Sequence, residues 1–199
     1  RHVPAAAFPT VECTVTAAKN LLPRRIPYPD FSLRPPLTVL SQGKLTSQEA
    51  PAQLWKDRSL TDIGPALKGF PEGELEVVLS SALQKIQSES FQEIQQPYLS
   101  KKNMELAENT FQIADLGTNL TGFIGCQVDC SQAAKLILVF DEILTGQDVD
   151  FKRLGCVNGV GYDLQPGKYS LESFEPYTFR YLKLMVLKGR CTITNLYLR

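Results

Sequence analysis

The sequence predicts a mainly β protein, an antiparallel β-sandwich of jelly-roll type led in by a proline-rich, extended connector. Three observations carry this reading. Short runs with an apolar residue at every second position recur through the second half of the chain, as in NTFQIADLG, TGFIGCQVDC and AAKLILVFDEIL, and a period of two is the signature of a strand. Turn-forming clusters separate the runs: the stretch from Gly117 to Gly122, TGQD, QPGK and KGR. Little helical pattern lies between them, which favours stacked antiparallel sheets over an α/β arrangement.

The connector is residues 1–70. LLPRRIPYPDFSLRPP holds Pro23, Pro27, Pro29, Pro35 and Pro36; proline fixes φ and donates no backbone hydrogen bond, so this stretch should run extended across a surface. LTVLSQGKL can supply one short strand, and SQEAPAQLWKDRSLTDIGPALKGFPEG mixes breakers with isolated anchors at Leu54, Trp55 and Ile63. The sandwich is residues 71–199. It opens with GELEVVLSS, where Leu75, Val77 and Leu79 alternate with Glu74 and Glu76 as in a half-buried strand. ALQKIQSESFQEIQQ is ambiguous: Leu83, Ile86, Ser90 and Ile94 suit a helix, while Phe91, Glu93 and Gln95 suit a strand. The remaining strands are GKYSLESF, YTFRYLKLMVLKG and CTITNLYLR, after the three already quoted.

Two of these strands are apolar on both faces. AAKLILVFDEIL sets Ala134, Leu136, Leu138 and Phe140 against Lys135, Ile137, Val139 and Asp141. In YTFRYLKLMVLKG one face has Leu182, Leu184 and Val186, and the other has Phe179, Tyr181, Met185 and Leu187, interrupted only by Lys183. A sheet with one face in water should alternate cleanly. Exposing four such side chains would forfeit roughly 1.5–3 kcal/mol each. The expectation is that something covers the second face: the proline-rich arm in part, and a domain or partner outside this chain for the rest. The alternative is cover supplied wholly by residues 1–100.

Composition narrows the function classes. Lysine plus arginine equals aspartate plus glutamate at 21 each in 199 residues, so no global field attracts nucleic acid or an anionic membrane. The longest apolar run, AAKLILVF, is far short of the ~18 residues of a membrane span. The chain opens on Arg1 without the order of a secretory signal, which suggests a processed or cut start. The five cysteines, Cys13, Cys126, Cys130, Cys156 and Cys191, are too sparse for a disulfide scaffold and read as core-filling thiols. Cys126 and Cys130 share the core face of one strand, roughly 13 Å apart at ~3.3 Å per residue, beyond disulfide reach. No metal is expected, since a zinc site needs further ligands and the lone histidine, His2, lies near the terminus.

The candidate functional residues are few. Asp141 and Glu142 are adjacent on a strand, point to opposite faces and so cannot form a catalytic carboxylate pair. Glu142, sharing the inward face with Phe140, needs a partner, and Arg180, on the face of Leu182 and Leu184, is expected to supply it as a structural ion pair. GCVNGVGYDLQPG lacks the strand-to-helix context of a phosphate cradle and reads as a long loop at a sandwich end, with Asn158, Tyr162 and Asp163 as candidate contacts to a sugar or a neighbouring domain. Tyr181, on the second face, joins that set, as does Trp55, the only tryptophan, which suits either a sugar platform or an anchor for the connector. Asn119 begins the glycosylation pattern NLT. Histidine-based nucleophilic catalysis is excluded, because His2 is the only histidine.

The order of these motifs resembles the bacterial α-L-rhamnosidase family of glycoside hydrolases, in the β-sandwich that precedes the catalytic barrel. The residues that carry it are Asp115 to Gly117, Gly122 with Phe123, Asp141 to Leu144, and Phe179 to Tyr181, over roughly residues 108–199. LLPRRIPYP also looks like the arm leaving an earlier sandwich in such enzymes. Asp141 departs from the family pattern, which often has alanine there. The resemblance implies a parent that cleaves terminal rhamnose or a related sugar from polysaccharide, by inversion and without a redox cofactor. The family's catalytic carboxylates lie in an (α/α)6 barrel that would follow Arg199, so no catalytic residue carries over to this chain. The implied role is non-catalytic support or orientation of that barrel in a secreted or periplasmic glycosidase. The rivals are a free-standing carbohydrate-binding module for rhamnose-containing glycans, which should expose an aromatic platform, and an independent small enzyme, which needs a convergent polar cleft.

Overall fold

Alternating apolar residues become strands wherever they find an antiparallel partner, and the computed structural model describes this for residues 12–16, 22–23, 25–49, 78–153 and 155–199. In chain order the elements are β1 (Thr38–Ser47), α1 (Val78–Leu83), β2 (Ile86–Pro97), β3 (Met104–Ala107), β4 (Thr110–Gly122), β5 (Ile124–Cys130), β6 (Ala134–Asp141), β7 (Gly159–Leu164), β8 (Gly167–Glu172), β9 (Tyr177–Lys188) and β10 (Arg190–Leu198). They form a six-stranded sheet, β2-β1-β4-β9-β6-β7, and a four-stranded sheet, β3-β10-β5-β8, antiparallel at every pairing. The protein is a mainly β antiparallel sandwich, as its alternation predicts.

The chain divides into residues 1–30 and 31–199. The described residues of the first unit hold no helix or strand, and Val15, Leu22, Ile26 and Tyr28 are exposed. The second unit begins well before the expected boundary at residue 71, because β1 is an interior strand, paired with β2 on one side and β4 on the other. Residues 31–37 are tied in as well: Arg34 and Leu198 exchange backbone hydrogen bonds of 2.7 and 2.9 Å, and the Leu37 N–H donates to the Asp115 carbonyl. The ambiguous segment resolves as strand β2, an edge whose polar side chains face solvent. The strand expected to run to Leu79 gives way to α1 from Val78; Leu75 and Val77 lie outside the described residues.

The two cores follow from the two faces of the six-stranded sheet. Between the sheets, Leu136, Leu138, Phe140, Leu182, Leu184 and Val186 meet Leu106, Ile124, Cys126, Val128, Cys130, Cys191 and Ile193, so Cys126 and Cys130 sit on the core face, and every described cysteine is a free thiol. The outer face carries a second core of Phe111, Ile113, Ile137, Val139 and Met185. Leu45 of β1 and Ile86 and Phe91 of β2 extend this core within the same sheet, and its cover comes from this chain: Leu83 of α1, and Leu144, Val149, Phe151 and Val157 of the β6–β7 connection. Ile137, Val139 and Met185 are 0%, 1% and 3% exposed, and Tyr181 is half-buried. The inference that this face lacks a neighbour is therefore corrected. The apolar residues that close it lie scattered in sequence between Leu83 and Val157.

A bulge repositions one expected inward residue. Between Asp115 and Leu120 the β4–β9 register jumps, with Asp115 facing Tyr181 and Leu120 facing Phe179. Gly117 takes a φ of 82° there, a conformation that costs glycine little and other residues more. The extra residues break the alternation of β9, which turns Phe179 in among the inter-sheet core, 1% exposed, instead of onto the face of Met185.

Candidate functional site

Residues from three of the four resembling motifs meet at one end of the six-stranded sheet, while Gly122 lies opposite Tyr177 and Phe123 pairs with Arg199. Asp115, Tyr181 and Asp141 are successive cross-strand neighbours on β4, β9 and β6. Arg180 donates to Asp115 through Nε (2.8 Å) and Nη2 (2.9 Å), while the Gly117 N–H donates to Asp115 Oδ1 at 2.6 Å. The guanidinium also lies 4.8 Å from the centre of the Tyr181 ring. Burial pushes the Asp115 carboxyl up, but the Arg180 fork and the Gly117 N–H outweigh it and hold it below the usual carboxylate range. On the other side of the row, Arg153 donates to both oxygens of Asp141, at 2.6 and 2.7 Å, and reaches Glu142 at 3.5 Å.

The expected Glu142–Arg180 ion pair is thus replaced by two others. Strand β6 ends at Asp141, so the alternation that would have pointed Glu142 inward stops one residue early. Asp141 is the buried carboxylate, 2% exposed, and the Glu142 side chain is 39% exposed. The β4 bulge gives Arg180 a nearer acceptor in Asp115.

The expected contact residues do not form one site. Tyr162 and Asp163 lie in the edge strand β7 rather than in a loop, facing Leu136 and Lys135 across the ladder. The Tyr162 ring packs against the inter-sheet core, and burial raises its phenol pKa; Asp163 is exposed. Asn158 serves through its backbone, which extends the ladder at the opposite end by accepting from the Phe140 N–H and donating to the Phe151 carbonyl. That places Asn158 toward the end where Tyr181 faces Asp141, with β6 between their strands. Trp55 lies outside the described residues.

Two arrangements were not read from the sequence. The first is a cavity of ≈ 270 Å³ on the outer face, lined by Leu45, Ile86, Val139, Phe151 and Met185 around one buried cation. Lys183 Nζ donates to Asp148 Oδ1 and Oδ2 (2.6 and 2.8 Å) and to Ser88 Oγ (2.6 Å). Ser88 in turn donates to Asp148 at 2.6 Å, and Lys183 Nζ stands 4.3 Å from the centre of the Phe111 ring. Burial lowers the Lys183 pKa more than Asp148 raises it. The only sequence signal was a lysine interrupting an apolar face.

The second is the outer face of the four-stranded sheet. The registers set three rungs across β10, β5 and β8: Thr192, Asp129 and Lys168; Thr194, Gln127 and Ser170; Tyr197, Gly125 and Glu172. A groove of ≈ 450 Å³ runs over the first two. In the third rung the Tyr197 ring lies against Gly125, where a Cβ would overlap it. The Tyr197 hydroxyl donates to Glu172 at 3.1 Å, Arg199 forks the same carboxylate, with Nε at 2.9 Å, and Asn195 donates to Gln127 at 2.9 Å. The Arg199 fork, the largest influence, holds Glu172 below the usual carboxylate range. An aromatic face bordered by hydroxyl, amide and carboxylate groups can stack on the apolar side of a sugar ring and bind its hydroxyls.

Among the described residues no helix is long and apolar enough to cross a membrane, and no group of three histidine, cysteine, aspartate or glutamate side chains gathers as a metal would need. No protein-family model matches the sequence, and no curated protein matches it. Solved structures do show likeness to parts of the chain. The GH78 family rhamnosidase of Bacillus sp. GL1 is 17% identical over 60% of this chain and 14% of its own, with a TM-score of 0.45. A rhamnosidase from Klebsiella oxytoca with rhamnose bound is 16% identical over 83% of this chain and 29% of its own, with a TM-score of 0.44. Chitosan-binding module 1 of a chitosanase/glucanase from Paenibacillus sp. IK-5 is 12% identical over 51% of this chain and 78% of its own, with a TM-score of 0.33. The chain thus spans less than a third of either rhamnosidase.

Proposed function

We propose that this chain is a non-catalytic β-sandwich of a glycoside hydrolase whose parent is α-L-rhamnosidase-like, and that it supports a catalytic barrel carried elsewhere in that parent. The observation that carries the reading is the Asp115 clamp. Residues from two motifs of the family resemblance, 65 positions apart, close on one another through Arg180 and Gly117, so the likeness rests on a built structural unit. The same clamp argues against chemistry at this position. A glycosidase acid must hold its proton near neutral pH and needs a raised pKa, whereas Asp115 and Glu172 are both held low by arginine forks. The reading carries with it a secreted or periplasmic location and a barrel as the chain's main partner. The test is an aryl α-L-rhamnoside assay on the purified chain, together with sequencing of the full parent transcript. No turnover and an all-helical barrel in the parent agree with the proposal; turnover abolished by Asp115→Asn or Glu172→Gln, or a parent without such a barrel, overturns it.

A second reading has its own observation. The Tyr197 ring laid over Gly125, beside Glu172, Gln127 and the groove, favours direct contact with carbohydrate, as in a module that recognises rhamnose-containing glycans. Calorimetry with rhamnose and rhamno-oligosaccharides separates the two. Binding at about millimolar affinity or tighter that is lost in Tyr197→Ala establishes the module, and no detectable heat leaves the supporting role alone.

A further inference from the structure

Two of the five cysteines sit side by side between the sheets. Cys130 ends β5 and Cys191 is the second residue of β10, and the register that pairs Thr192 with Asp129 sets them next to each other on adjoining antiparallel strands. Their sulfurs are 3.4 Å apart, and the two residues are 2% and 0% exposed. Opposed residues on such strands have Cα atoms about 4.5–5.5 Å apart, within the roughly 4.4–6.8 Å that a cystine spans. Closing the gap to the ~2.05 Å of an S–S bond asks for side-chain rotation and leaves the strands in register. No other described cysteine is so placed: Cys126 lies four residues from Cys130 on the same strand, Cys156 is in the β6–β7 connection and Cys13 is in the first unit.

We propose that Cys130 and Cys191 are a disulfide site, joined as an intrachain cystine when the chain folds in the presence of a small disulfide such as oxidised glutathione. One thiolate attacks the glutathione disulfide and releases one glutathione thiol, leaving a mixed disulfide. The second thiolate attacks the cysteine sulfur of that mixed disulfide and releases the other glutathione. The two cysteines lose two protons and two electrons, and the glutathione disulfide gains them. The exchange belongs to the folding chain, since burial in the finished core pushes the Cys191 thiol up to about 12 and withholds the reactive thiolate. Once formed, the bond would staple β5 to β10 across 61 positions of chain, out of reach of soluble reductants.

The test is refolding of the full chain from denaturant in a glutathione redox buffer and, in parallel, under reductant. Thiols titrated in denaturant should number three instead of five, and peptide mapping without reductant should link Cys130 to Cys191. The thermal midpoint of the oxidised protein should exceed that of the reduced protein by about 10 °C. Cys130→Ser and Cys191→Ser should each abolish the increment, and Cys126→Ser should retain it. Five titratable thiols in folded protein, or linkage of another cysteine pair, overturns the proposal. If the oxidised chain fails to refold, oxidised glutathione added to reduced protein at its unfolding midpoint gives the same thiol count, with the same two readings.

Discussion

Replacing Asp148 with alanine should expose how the outer face of the six-stranded sheet is held. In the wild type, Lys183 is buried beneath that cover, its side chain 5% exposed, with Asp148 as its anionic partner and Ser88 as a neutral one. Removing one partner of a buried ion pair typically costs about 3–5 kcal/mol. Here Asp148 keeps 31% of its side chain in solvent and Ser88 remains as an acceptor, so the loss should fall to about 2–3 kcal/mol. In a unit of this size that corresponds to a fall in thermal midpoint of roughly 5–10 °C. Lys183→Met should behave differently, because a long apolar side chain fits among Phe111, Ile113 and Met185 and needs no counter-ion. It should match the wild type within about 1 kcal/mol or exceed it, and adding it to Asp148→Ala should recover most of the loss. Urea and thermal unfolding of the four proteins give the complete double-mutant cycle. An Asp148→Ala variant as stable as wild type, or a Lys183→Met variant as damaged as Asp148→Ala, would refute the reasoning.

Three further outcomes follow from the same structure. Asp115 has a lowered folded-state pKa, so its contribution is present above the unfolded value near 4 and is lost as pH falls through the folded value; Asp115→Asn should cost about 1–3 kcal/mol at pH 7 and flatten the acid limb of a stability–pH profile, and an unchanged acid limb would remove the clamp from the account. Leu83→Ala should lower stability by about 2–4 kcal/mol, since Leu83 is 3% exposed in the cover of the second core; a change under about 0.5 kcal/mol in urea unfolding would mean that α1 does not pack there. Gly125→Val should push the Tyr197 ring off the sheet, and where the chain binds oligosaccharide, calorimetry should show that binding reduced at least tenfold; undiminished binding would mean that Tyr197 takes no part in it.

What the sequence could disclose was local. Strands β4, β5, β6, β9 and β10 announce themselves by alternation, and the double apolar character of β6 and β9 correctly marked a sheet packed on both faces. The rest of the second core was not legible, because Leu45, Leu83, Phe91 and Val149 lie in segments that read as connector, ambiguous strand or loop; the β1–β2 and β1–β4 pairings bring in Leu45 and Phe91, while Leu83 and Val149 arrive from α1 and the β6–β7 connection. The glycines of residues 155–161 suggested a loop, yet the ladder to β6 made residues 159–164 a strand. The Glu142–Arg180 expectation assumed unbroken alternation along β9, and a bulge at Gly117 with no counterpart in pattern alone redirected Arg180 to Asp115. The Tyr197 platform was hidden for a similar reason: the β10 register shifts between Thr194 and Tyr197, with Asn195 at a φ of 48°, and that irregularity brings Tyr197 over Gly125.

The closure of the second face by the chain itself can be measured at one sulfur. Met185 of the outer core and Met104 of the inter-sheet core are 3% and 5% exposed, so dilute peroxide should oxidise both thioethers slowly and at similar rates in native protein, with rapid oxidation appearing only in denaturant. Fast oxidation of Met185 alone, at the rate of an exposed methionine, would show that the face stands open in solution and that its cover must come from another molecule.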